Sequence, residues 1–455
     1  MKKLYQATLV ALALLASACS KEPATTTETT QAAASPTGPT IAEVAPAAET
    51  APGLPDGGAE GDADDPSVWL HPTDPARSLI IATGKGAGLR VYDLAGKLVQ
   101  RIDAVSDGRY NNVDVAYGLR RPDGTLMDVA VASDRGRDGL RVWRIDGDAA
   151  TPLTDITAAD QPQVFPTRRA ADGSSEVANP VADQHSAYGL TLWHDKAGGQ
   201  VHAIIAQRKE ARLAQQRLVV REDGTVSHER VRHWDFPYSH RGQDLTVEND
   251  DDPALDWQSQ FEGLVVDGDR ALLFAGQEDV GLWRIDLASG KADDKPFYET
   301  RGSAKSPFNN PESRIVRDVE GLALYRGANG KGYLIASSQG DAHGDSQSPD
   351  PDGLHDTFAV FERDGDNRYL GSFRIKAANG IDAVQECDGA ELVSFPLPGY
   401  PQGLLIVQDG YNDDLNNMSG EPGATNFKLV SWEAVVAAFP VPLTVPAGGH
   451  DPRAP

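Results

Sequence analysis

Residues 88–97 read GLRVYDLAGK, and the same device returns as GLRVWRIDG at 139–147, GLWRIDLASG at 281–290 and FAVFERDG at 358–365. A weaker copy, RLVVREDG, stands at 217–224. Each copy is an apolar strand carrying an aromatic residue that runs into a turn rich in Asp and Gly, the signature of a strand ending in a hairpin. Between the copies lies a second pattern, a short segment opening on an acidic or aromatic residue near a glycine. It appears as Asp65-Pro66-Ser67-Val68-Trp69, Asp114-Val115-Ala116-Tyr117-Gly118-Leu119, Tyr188-Gly189-Leu190, Glu262-Gly263-Leu264, Glu320-Gly321-Leu322 and Asp388-Gly389-Ala390-Glu391. A repeated strand–hairpin–strand unit cannot close a core alone, but copies stacked radially can, and that is a β-propeller. Six copies of the opening segment predict an all-β, six-bladed β-propeller; a large sandwich or jelly roll is the alternative. The hairpin-strand aromatics Tyr92, Trp143, Trp283 and Phe361 are expected in blade cores.

Working outward, the chain has 455 residues, with 42 Lys and Arg against 67 Asp and Glu, a formal charge of −25. That charge argues against a nucleic-acid partner, and any anion bound here needs local cations or a metal. The 45 glycines and 30 prolines fit a chain of short strands and turns. At the N-terminus Lys2 and Lys3 precede the apolar run LVALALLASAC, which is too short to span a bilayer and reads as a signal peptide over residues 1–19. It ends either in ordinary cleavage after Ala16-Ser17-Ala18 or in a lipoprotein box that would lipidate Cys19 as a membrane tether. Both imply export, to the outer membrane, the periplasm or the medium. Residues 20–55, rich in Thr, Ala, Pro and Glu, are expected to be a disordered linker. The propeller is expected over 56–441 and a disordered tail over 442–455. With Cys19 lipidated or removed, Cys387 stands alone and no disulfide is available. A closed propeller has no need of a partner to cover its short sheet edges, so a monomer is expected.

In a propeller the first strand of each blade lines the central channel, so acidic residues at its start face a shared cavity. Asp64, Asp65, Asp114, Glu262, Glu320, Asp388 and Glu391 fall there, with Tyr188. An acidic residue before a glycine is ordinarily a turn residue, but five of six copies carrying one is a pattern. Crowded carboxylates repel unless a cation lies among them, and oxygen ligands without clustered His or Cys select Ca²⁺ or Mg²⁺ over Zn²⁺. Lys85, Arg135 and Lys209 follow the apolar strands SLIIATGK, MDVAVASDR and VHAIIAQRK. Singly, such cations are usually solvated strand ends; three at equivalent ends beside an acidic axis suggest an anion site, with phosphate its natural occupant. No G-x-S-x-G and no HExxH motif is present.

Several stretches resemble the bacterial β-propeller phytases: GDADDPSVWLHP, LIIATGKGAGLRVYDLAGK, YNNVDVAYG, SQFEGLVVD, DVEGLALYRGANGKGYLIASSQG, LLIVQDG and NFKLVSWE, in order from about Glu60 to Phe439. The resemblance implies a six-bladed, calcium-dependent hydrolase that removes phosphates from phytate (inositol hexakisphosphate), free or as its calcium complex, by attack of water. It places Asp64, Asp65, Glu210, Glu262, Glu320, Asp382, Asp388 and Glu391 at calcium, to which the repeat pattern adds Asp114, and Lys85, Arg135 and Lys209 at substrate phosphate. Glu262, Glu278 and Tyr188 fall at catalytic positions. Three departures stand out. Gln277-Glu278-Asp279 carries one glutamate fewer than the family often has, Glu391 replaces an aspartate, and DAHGDSQSPDPDGLHD at 341–356 is inserted in what is normally a tight turn. Two other functions compete. A calcium-dependent propeller lactonase or esterase would not need three strand-end cations, and a non-catalytic, lipid-tethered binding module would tolerate loss of the acidic rims.

Overall fold

The stretch Leu79–Thr83, LIIAT, has no polar face, and all five residues are buried. Such a strand needs cover on both sides, and the propeller supplies it from the neighbouring blades. The computed structural model describes residues 41–54, 62–249, 251–340, 350, 352–412, 424–445 and 449–453. The expected signal peptide, Cys19 and most of the 341–356 insertion lie outside these residues.

Among the described residues six sheets of four or five strands follow in chain order, antiparallel but for one edge strand, beside two small hairpins at Thr167–Arg169 with Glu176–Ala178 and Ser239–His240 with Gln243–Asp244. Blade 1 is built from Pro66–Trp69, Leu79–Thr83, Leu89–Tyr92 and Leu98–Ile102. Blade 2 runs from the inner strand Tyr110–Arg120 through Leu126–Asp134 and Gly139–Ile145 to Leu153–Asp155. Blades 3 to 6 open on the inner strands Ala187–Asp195, Phe261–Asp267, Leu322–Arg326 and Ala390–Val393. Six buried apolar clusters each join one blade to the next, the last joining blade 6 to blade 1 through Leu404 and Phe427 against Val68 and Ile80. Tyr92, Trp143, Trp283 and Phe361 lie in these clusters, as expected of blade-core residues.

The N-terminal segment departs from expectation. Within the stretch read as a linker, Ala42–Val44 pairs in parallel with Tyr369–Ile375 at the outer edge of blade 5. Ala48–Glu49 then forms the outermost strand of blade 6, antiparallel to Asn426–Ser431. The propeller thus starts near residue 42, and blade 6 is assembled from both ends of the chain. Two of these strands are too short to show periodicity, and Ala and Glu are poor strand formers, so pairing partners rather than propensity determine them. The tail also departs: Leu443 is buried, the His450 amide donates to the Ser394 carbonyl at 2.7 Å, and Arg453 stacks over Tyr117 and pairs with Asp128 at 2.9 Å. Among the described residues the one α-helix is Trp432–Ala438, capped by Ser431, whose hydroxyl accepts from the Ala434 amide.

Candidate active site

The inner strands of blades 2, 3 and 4 share an irregularity at the same end. Pairing shifts register between Tyr110 and Val113, between Ala187 and Leu190, and between Phe261 and Leu264. Such bulges re-aim side chains. The residues within them are Asn111-Asn112, Tyr188-Gly189 and Glu262-Gly263. The glycines that follow the acidic residues have a packing reason. A Cβ on Gly321 would come within 2.5 Å of the Asp388 carbonyl oxygen, and one on Gly389 within 2.5 Å of an Asp65 carboxylate oxygen. On Gly189 and Gly263 it would overlap the carbonyls of Glu262 and Glu320 still further. Each glycine therefore admits the acidic residue of the next blade, drawing the carboxylates into a tight rim.

At that rim one oxygen each from Asp64, Glu262 and Asp388 lie within 4.8 Å of one another, and so do oxygens from Glu262, Glu278 and Glu320, with Glu262 common to both sets. All five residues but Asp388 are below a tenth exposed, and Asp388 is only partly exposed. Buried oxygens of Asp64, Glu278, Glu320 and Asp388 accept no hydrogen bond. The Lys85 ammonium lies 3.1 Å from Asp64, 3.7 Å from Asp62 and 3.8 Å from Asp388. Burial nevertheless pushes the Asp64 carboxyl up to about 7, against the opposing pull of Lys85 and with Glu262 and Asp62 adding to the rise. Burial first, then neighbouring carboxylates, drives Glu278, Glu320 and Asp388 well above the usual carboxylate range. One lysine does not compensate this many buried acids. An oxygen-rich set of this kind, with one lysine for several carboxylates and buried oxygens of Glu278, Glu320 and Asp388 left without a hydrogen bond, fits a hard divalent cation.

The cations line one flank. Arg135 donates to the Asn111 side-chain oxygen at 3.2 Å and lies 5.7 Å from the centre of the Tyr188 ring. Tyr188 is itself surrounded by Glu262, Glu278, Glu320 and Asp388; burial and these charges hold its hydroxyl well above the ordinary tyrosine value. Lys209 reaches the rim through its backbone amide, which donates to Gln260 Oε1 at 2.7 Å, while its side chain is exposed. Gln260 in turn donates to Glu278 Oε2 at 2.9 Å. Asp65 sits just below, one oxygen accepting the Val113 amide at 3.0 Å.

Four expected metal ligands are not brought to this rim. Asp114 accepts from Thr191 Oγ1 at 3.0 Å and the Leu192 amide at 2.7 Å. It shares a 170 Å³ cavity further down the channel with Glu391 and Arg326. Glu391 is raised to about 8 by burial and by Asp114. Glu210 is engaged by the His185 ring at 2.7 Å and by the Tyr238 hydroxyl, to one side of blade 3. Asp382 pairs with Lys428, which also binds Glu49 at 2.6 Å and Asp409 at 3.1 Å beneath blade 6. Conversely, Arg109, Asn111, Arg208 and Gln260 belong to the rim and were not expected there, and Asp62 joins its neighbour Asp64 beside Lys85. Arg109 approaches Asp62 at 3.6 Å, and Arg208 lies close enough to Arg135, Tyr188, Glu278 and Arg109 to feel their charges. The signal for Asn111 was its place three residues before Asp114, where Tyr110-Asn111-Asn112-Val113 matches Phe261-Glu262-Gly263-Leu264 in register.

The phytase family model matches residues 6–253 and 241–448. The chain belongs to the phytase family. It is 32% identical over 384 residues to the 3-phytase of Bacillus subtilis (strain 168), covering 83% of this chain and 81% of that protein. This membership makes it a phosphoric monoester hydrolase. Among solved structures it is similar, at 10% identity and a TM-score of 0.42, to the calcium-binding protein regucalcin of Agrobacterium tumefaciens, over 86% of this chain and 97% of that one.

Proposed function

We propose that this phytase hydrolyses the phosphomonoesters of phytate by calcium-assisted attack of water, with the metal held by Asp64, Glu262 and Asp388 and by Glu262, Glu278 and Glu320. The observation that carries the reading is the pair of buried carboxylate triads, with some oxygens lacking donors, set directly beside Lys85 and joined to Arg135 through the Asn111 amide. Bound calcium would neutralise these carboxylates and polarise phosphoryl oxygens. Lys85 and Arg135, with Arg208 and Arg109 behind them, grip phosphate oxygens and orient the ester. Glu278, held in place by the Gln260 amide on one oxygen, would lie beside the attacking water, either as a ligand of the cation or as the base that takes its proton. The Tyr188 hydroxyl, kept protonated by its acidic surroundings, donates to a phosphate oxygen. A calcium–phytate complex suits this acidic mouth better than free phytate, because the metal screens both partners.

In this proposal the protein is also exported, with a leader that ends at Ala18 and leaves Cys19 as the lipid attachment point, and monomeric. Mass spectrometry of the mature N-terminus and gel filtration test those two statements. Phosphate release from phytate near neutral pH, with calcium and then with excess chelator, tests the activity. Release that disappears with chelator supports the mechanism. Release that survives full metal removal overturns the role of calcium, and no release in either condition overturns the substrate.

A further inference from the structure

Asn111 occupies, in blade 2, the bulge position that Tyr188 and Glu262 hold in blades 3 and 4. Its side chain is fully buried and uses both ends. Nδ2 donates to Glu262 Oε1 at 2.6 Å and to Asn112 Oδ1 at 3.0 Å, while Oδ1 accepts from Arg135 Nη1 at 3.2 Å. Glu262 is the carboxylate common to both triads. A primary amide is suited to this position because it offers a donor to the acid and an acceptor to the guanidinium from one planar group. An aspartate could not donate to Glu262, and a lysine could not accept from Arg135.

We propose that Asn111 is a positioning residue that couples the substrate cation Arg135 to the shared carboxylate Glu262. Through the amide, the guanidinium that grips a phosphate oxygen and the carboxylate beside the reacting ester keep a fixed separation. The inference rests on the reading of Arg135 as a phosphate-binding residue. Because the contacts to Asn111 come from side chains of blades 2 and 4, the amide also ties two blades that are not neighbours across the channel mouth. Its backbone carbonyl separately accepts from Thr83, so a side-chain change leaves the strand's own anchoring in place.

The test is a double-mutant cycle on phytate hydrolysis with Asn111→Ala, Arg135→Ala and the pair. Asn111→Ala is expected to lower kcat/KM by about 10- to 100-fold, the scale of losing a hydrogen bond to a charged group. A large part of that loss should appear in KM, because the phosphate grip is misaligned. In the Arg135→Ala background the same change should cost clearly less than in the intact protein, what remains being the loss of the Asn111 hydrogen bond to Glu262 alone. Calcium titration of chelator-stripped protein, followed by melting temperature, provides a readout separate from turnover: Asn111→Ala should need a higher calcium concentration for half of its stabilisation. Effects that simply multiply across the cycle, with unchanged calcium response, overturn the coupling. If Arg135→Ala alone leaves turnover untouched, the phosphate-site reading itself fails, and that outcome is distinct from failure of the coupling.

Discussion

Lys85 and Arg135 are two cations at one mouth with different neighbours, and their removal should separate two roles. Lys85 compensates Asp64, Asp62 and Asp388 directly. Lys85→Ala should cut phytate kcat/KM by about 100-fold and also lower the melting temperature of the metal-free protein, since it strands buried charge. Arg135 touches a neutral amide; Arg135→Ala should lose comparable activity with little change in metal-free stability. Kinetics and chelator-treated melts of the two variants check this contrast. A pH dependence follows from the acids. Asp64 titrates near 7 in the fold against 3.8 for an ordinary aspartate, and Asp388, Glu278 and Glu320 are shifted the same way. From about pH 4 up to about 7 the folded chain therefore holds the Asp64 proton that the unfolded chain has released, so this group makes stability fall as pH rises, and the other three act in the same direction. The stabilisation that goes with the upward shift of Lys85 is fully present throughout this window and is lost only above its ordinary value of 10.5. Melting temperature of metal-free protein should drop from pH 5 to pH 8, and calcium should flatten the curve. A rise over that range without metal would show the carboxylates compensated by other means.

At the level of the strand, the rim depends on bulges and glycines working together. Gly263→Ala should destabilise by about 3 kcal/mol, because the added carbon falls on the Glu320 carbonyl. Gly124→Ala is the control: its φ of +83° strains a side chain, but nothing lies within 4 Å, and about 1 kcal/mol is expected. Denaturant melts of both variants separate crowding from backbone strain. This scale also explains which parts of the site the sequence revealed. Acid-before-glycine marked Glu262, Glu320 and Asp388, because the packing that needs the glycine also sets the acid at the rim. The motif misplaced blade 2, where Ala116-Tyr117-Gly118-Leu119 mimics Ala187-Tyr188-Gly189-Leu190. The first lies in a second bulge at the far end of its strand, between Ala116 and Leu119. Aligning on it selected Asp114 and passed over Asn111. Glu210 and Asp382 were misplaced for a different reason: His185, Tyr238 and Lys428 claim them from segments distant in sequence, and no local pattern records such partners.

For the molecule as a whole, blade number was readable because each blade repeats a local pattern, whereas closure was not, because it joins Ala48–Glu49 to Lys428–Leu429 across nearly the whole chain. Deleting residues 41–50 should remove the outer strand of blade 6 and the parallel edge strand of blade 5, lowering the melting temperature and promoting association through exposed edges. Calorimetry and light scattering measure both; an unchanged melt would mean the two strands contribute nothing to closure. Glu49 leaves with that deletion, so Lys428 loses one of its three carboxylates as well. The strap has a consequence in time. The segment that seals the ring is the first of the described strands to be made, and its partner among the last. Emerging chains therefore present five blades without a finished sixth, and the early strand must stay unpaired while they form. Final closure therefore needs the two ends to meet, and the outer edge of blade 6 is complete only once its partner strand Asn426–Ser431 has been made.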